Sequence, residues 1–114
     1  METPVVGFIP PIVGVDGVFN TFRLGKKFST LPVGSVVLLM DEKRKVVFGR
    51  AEVLDTTTGP LSALLAVYAS ENHTQLGQEG DHAENLYLIL RRIYGPHIVT
   101  PTKNATCIKL KRLE

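Results

Sequence analysis

The chain has 114 residues, 44% of them apolar, a single cysteine and a formal net charge of +2. That length supports one domain over residues 1–114 with one hydrophobic core, and the small charge excludes a long electrostatic groove of the kind that wraps duplex DNA. No apolar run reaches the ~18 residues of a membrane span, and the Met1-Glu2-Thr3-Pro4 start lacks the basic and apolar regions of a secretory leader, which points to the cytoplasm.

Cys107 has no second cysteine to pair with and reads as a buried strand thiol, and three histidines without acidic or thiol neighbours at ligand spacing make no metal site. No cofactor is expected, and monomer is the default.

In chain order, Val5-Val6-Gly7-Phe8-Ile9 is an apolar strand stopped by Pro10-Pro11, neither of which can donate to a ladder. Ile12 to Gly17 carries two glycines and is at best a short, poor helix. A second strand covers about Val18 to Arg23, and Gly25 to Pro32 reads as a loop. Strands at Ser35–Met40 and Val46–Thr56 are joined by the charged tip Asp41-Glu42-Lys43-Arg44-Lys45.

The period then changes. Gly59-Pro60 places a proline at the first helical position, with Leu61, Leu64, Leu65 and Tyr68 on one face. Asp81 and Glu84 have the spacing of a capping box ahead of a stripe of Ala83, Leu86, Tyr87, Leu90, Ile93 and Tyr94, and Gly95-Pro96 ends that helix. From Ala105 to Leu113 the residues alternate, Ile108 and Leu110 facing one way and Cys107, Lys109 and Lys111 the other, as in a half-exposed strand. The expected architecture is α+β, a small curled sheet or open barrel of five to six strands flanked by two main helices.

Thr21-Phe22-Arg23 is the stretch richest in chemistry. A hydroxyl and a guanidinium two residues apart leave the same side of a strand, and Lys26 and Lys27 follow on the next turn. Taken alone, Thr21 suits a strand for its β-propensity, Arg23 suits a strand end, and Glu79 suits the loop before a helix, where the macrodipole favours acids. Asn72 and His73 fall where the first helix closes, a capping position.

Read together, Gly17…Thr21-Phe22-Arg23, the Val33-Gly34-Ser35-Val36-Val37 strand and the Gly49-Arg50-Ala51-Glu52-Val53 strand resemble the ASCH superfamily, whose fold is PUA-like. The resemblance runs over nearly the whole chain from Val6 and implies a nucleic-acid or nucleoside ligand. It also implies roles: small bacterial N4-acetylcytidine amidohydrolases of that superfamily use a lysine, a threonine and a glutamate. The threonine and arginine of their Gly-x-Lys-x-x-Thr-x-Arg motif fall on Thr21 and Arg23, and their glutamate falls on Glu79. The lysine position falls on Val18 or Phe19, neither of which carries a titratable nitrogen. A second register, Gly25, Lys27 and Thr30, restores the lysine but puts Pro32 at the arginine position.

Two functions follow as expectations. The favoured one is a module that binds single-stranded RNA or a modified nucleoside in a cleft lined by Thr21, Arg23 and Glu79. Arg23, Lys26 and Lys27 then meet phosphate, and Phe19, Phe22, Phe28 or Tyr68 supply stacking. The alternative is an amidohydrolase on N4-acetylcytidine, with Thr21 as nucleophile, Lys27 or Lys26 as its activator and Glu79 as proton carrier. A weaker third is an RNA nuclease in which Lys26 or Lys27 stabilises the phosphorane and Glu79 is the base.

Overall fold

In the computed structural model, which describes residues 3–114, the segments with a two-residue apolar period are strands and those with helical spacing are helices. The first two residues, part of the stretch read for a leader, lie outside the described residues. Chain order is β1 (Val5–Phe8), β2 (Val18–Leu24), β3 (Val36–Asp41), β4 (Val46–Pro60), α1 (Leu61–Tyr68) with a following 3-10 turn (Ala69–Glu71), α2 (His82–Tyr94) and β5 (Asn104–Arg112). The sheet order is β1-β3-β4-β5-β2, with β1 parallel to β3 and every other pair antiparallel. This is the α+β, PUA-like arrangement expected from the sequence, with five strands in a curled half-barrel and two helices beside it.

The curl has a local cause. β4 is 15 residues long and is bulged between Val53 and Asp55, so it pairs with β3 through its first half and with β5 along most of its length. Apolar side chains then fill two clusters. One lies within the curl, around Phe8, Phe19, Leu39, Val53, Ile108 and Leu110. The other joins Phe22 and Cys107 to Leu61 and Leu64 of α1 and Leu86 and Leu90 of α2.

Three local expectations are corrected. β5 is an interior strand, flanked by β4 and β2, so its first half is buried on both faces instead of being half-exposed, and Cys107 packs under the helices as the buried thiol expected of it. Burial pushes the Cys107 thiol up to about 12, aided by Glu71 and Asp55. Ile12–Gly17 forms no helix; it is a bent segment tied to the sheet where the Arg112 guanidinium donates to the Val15 and Phe48 carbonyls at 3.0 and 3.1 Å. Pro60 is still extended (φ −60°, ψ 138°) and sits before α1, because β4 runs straight into the helix without a loop. The second helix starts as read: the Asp81 side chain accepts from the Glu84 N–H at 3.1 Å, and Gly95 closes the other end at φ 99°.

Candidate functional site

β2 is an edge strand, and its free edge is where the molecule opens. Register explains what that edge offers. The odd-numbered residues of β2 turn their backbone toward β5: the Gly25 N–H reaches the Asn104 carbonyl, and the Arg112 N–H reaches the Gly17 carbonyl just before the strand. The even-numbered ones turn away, since a strand residue directs its N–H and C=O to the same side. Accordingly the Asn20 carbonyl accepts from the His73 N–H at 3.1 Å. Two residues on, the Phe22 N–H and C=O point out of the sheet and meet no backbone partner across that edge among the described residues.

A cavity of about 680 Å³ lies against this edge. Its walls come from five places: β2 through Thr21, Phe22 and Arg23; the end of β1 and the two prolines after it; Val13 of the bent segment; the loop Asn72–Thr74; and α2, chiefly through Ile89, Arg92, Ile93 and Tyr94.

The loop is held by buried polar groups. The Asn20 side chain donates to the Tyr68 carbonyl at 2.8 Å and accepts from the Asn72 side-chain amide at 3.3 Å, while Asn72 Oδ1 accepts from the Thr74 N–H and hydroxyl at 3.0 and 2.7 Å. Asn20 and Asn72 are both almost fully buried, so each bond replaces one that water would otherwise make. Gly14 completes the support. Its φ of +69° is a conformation that glycine adopts freely, and a Cβ there would lie 2.1 Å from the His73 carbonyl oxygen.

Inside the cavity the polar groups converge. The Arg23 guanidinium donates to the Thr21 hydroxyl at 3.1 Å and stacks over the Phe8 ring at 5.0 Å. Its Nε is buried without a partner. Burial lowers the Arg23 pKa, and Tyr94 and Glu42 oppose the shift by favouring the charged form. His73 packs edge-on to Phe8 and Phe19 and approaches the Val13 carbonyl through Nδ1 at 3.2 Å. Burial pushes His73 down to about 4, with Arg23 adding to the effect and the Val13 carbonyl working against it. The imidazole is therefore neutral near pH 7, and with Nδ1–H donating to Val13 its Nε2 is an acceptor.

Thr21 and Arg23 are thus brought together, as their strand spacing implies. Glu79, Lys26 and Lys27 are not brought to the same cavity. Glu79 lines a neighbouring shallow depression of about 420 Å³ that shares Thr74, Ile89 and Arg92 with it. Lys26 and Lys27 are exposed on the turn after β2, and Lys27 lies over the Phe28 ring at 5.4 Å. No lysine lines either hollow among the described residues.

Of the aromatic residues picked for stacking, Phe22 lines the cavity. Phe19 is buried in the core, Phe28 packs against that core, and Tyr68 packs under the helices with its hydroxyl 3.4 Å from Thr57. Tyr94 and the edge of Phe8 also line the cavity, Phe8 being a core residue with the Arg23 guanidinium over its ring. Both belong to apolar stripes that the sequence shows; what it lacks is any sign that those stripes end beside β2.

No protein-family model matches the chain, and no curated protein matches it. Solved structures do. The chain is similar to the ASCH protein of Zymomonas mobilis (14% identity, 94% of this chain and 65% of that one, TM-score 0.53). It is similar also to the hypothetical protein PH0355 (14% identity, 98% and 100%, TM-score 0.66) and to EF3133 of Enterococcus faecalis, a DUF984 protein (13% identity, 88% and 62%, TM-score 0.55). The chain therefore spans about two thirds of the Zymomonas and Enterococcus chains and all of PH0355. At these identities the likeness establishes the fold.

Proposed function

We propose that this chain, which carries the fold of the ASCH proteins, is a module that takes an unpaired base of single-stranded RNA, or a modified nucleoside, into the cavity beside β2. The observation that carries the reading is that the Arg23 guanidinium and the Thr21 hydroxyl, bonded to each other, line one cavity with Phe22, whose backbone edge is unpaired, and with Tyr94. A flat heterocycle needs such a place: apolar side chains around it, and a few fixed donors and acceptors at its edge. The Phe22 N–H and C=O supply one donor and one acceptor side by side, and His73 Nε2 supplies a second acceptor.

The same geometry supports binding over hydrolysis. An alcohol attacks an amide only when a base takes its proton. The group bonded to the Thr21 hydroxyl is a guanidinium, which stays protonated and cannot serve as that base. Lys26 and Lys27, exposed on the turn after β2, are left to meet phosphate outside the cavity. Calorimetric titration with cytidine, uridine, adenosine, guanosine and N4-acetylcytidine tests the reading. Saturable binding of at least one of them, with no change in N4-acetylcytidine absorbance at high protein concentration, is the expected result. Absence of binding by all of them sinks it, and turnover of N4-acetylcytidine replaces it with the amidohydrolase.

A further inference from the structure

Two hollows share a border along α2. The inner cavity, with Arg23 and Thr21, and the outer depression, with Glu79, have Thr74, Ile89 and Arg92 in common. Arg92 is exposed and has no ion-pair partner among the described residues, whereas its neighbour Arg91 stacks on Tyr87 and bonds its hydroxyl. A fixed cation therefore stands where the two hollows meet. The inner cation does not play that part, because Arg23 lines the inner cavity alone and not the depression.

The outer depression is built differently from the inner one. Its floor is set by the buried Gln75, whose side-chain oxygen lies 3.1 Å from His82 Nδ1 and accepts from the Asn85 amide at 3.4 Å, which ties the loop to the start of α2. Leu88, 56% exposed on the same helix, gives it one apolar surface. Gln78 and Glu79 give it free hydrogen-bonding groups with no side-chain partner among the described residues. A carboxylate accepts and does not donate, so it favours a base bearing an exocyclic amine over uracil.

We propose that the cavity and the depression are one groove for two successive nucleotides of a single strand, with Arg92 contacting the phosphate between them and Glu79 reading the outer base. This rests on the reading that the inner cavity takes a nucleoside, and it gives Glu79 a role at a second position instead of beside Thr21. A surface arginine between two base positions suits the linking phosphate, which it can contact with two parallel N–H donors.

The test compares nucleosides with ribodinucleoside monophosphates by calorimetry on the full chain. The best dinucleoside monophosphate is expected to bind ~10-fold tighter than its better-bound nucleoside, as one added charge-assisted contact and one stacked base supply. Arg92→Ala, at a residue that lines both hollows, should bring the dinucleoside-to-nucleoside affinity ratio down from ~10 to about 1. Glu79→Gln, whose amide can also donate, should erase the preference for cytosine, adenine or guanine over uracil at the outer position. Equal affinity for both ligand classes, or an equal loss of both in Arg92→Ala, overturns the two-nucleotide groove while nucleoside binding still upholds the inner site. Failure of every nucleoside and dinucleoside to bind overturns both.

Discussion

Arg23 carries the most information per atom in this molecule. It is withdrawn from solvent with no carboxylate bonded to it, is held by a hydroxyl and an aromatic face, and keeps one N–H unmatched. A charge kept this way costs stability unless a ligand completes its bonds. Arg23→Ala is therefore expected to weaken nucleoside binding by about 1–3 kcal/mol while changing the unfolding midpoint little. Titration and urea unfolding of the same variant check it, and undiminished affinity removes Arg23 from the site.

His73 makes a second residue-scale prediction. Its pKa falls from 6.5 in the open chain to about 4 in the fold, so the unfolded state takes up the proton first as pH drops. Stability from this group is complete above about pH 6.5, is lost as pH falls toward about 4, and changes no further below that. The loss is at most ~3 kcal/mol. Urea midpoints taken between about pH 7 and pH 4 should fall less steeply in His73→Gln than in the parent; equal slopes would show that His73 is not the titrating group.

At the scale of elements, the cavity depends on a loop and a bent segment that have no regular structure of their own. The 72–74 loop is fixed to β2 by the Asn20–Asn72 pair and to the 12–17 segment by the contact of Gly14 with the His73 carbonyl. Gly14→Ala faces a positive φ and a clash with backbone, which cannot rotate aside. It should cost about 1–3 kcal/mol and should loosen nucleoside binding by more than the mutation of a surface glycine does. The comparison is with Gly34→Ala, where φ is also positive, +89°, but a Cβ meets open space. Equal losses in both variants would mean that strain alone matters and that the His73 contact does not position the loop.

Across the whole molecule, charge sets how binding responds to salt. The net charge is +2, and the cations nearest the two hollows are Arg23 and Arg92. With one phosphate contacted, log affinity for a dinucleotide should fall against log salt with a slope of about −0.7, the single-strand value per contact. A slope near zero removes the phosphate contact. With a longer strand, a slope of about −2 brings in the exposed Lys26 and Lys27 as well. Among the described residues no helix is long and apolar enough to cross a membrane.

The sequence by itself determined the elements. Period-two stretches became β1 to β5, Leu61, Leu64 and Leu65 formed the buried face of α1, and Asp81 and Gly95 bounded α2, because patterning and capping act over a few residues and are written in neighbouring letters. The Thr21–Arg23 pairing was legible for the same reason, as both leave one side of one strand. The tertiary structure alone decided the rest. It made β5 an interior strand that hides Cys107, left the edge of β2 open at Phe22, brought Phe8, His73 and Tyr94 to that edge from three distant parts of the chain, and set Glu79 in the adjoining hollow. These are consequences of strand order and loop packing between residues as far apart as Val18 and Lys111, and no local pattern of side chains encodes which edge of a sheet remains unpaired.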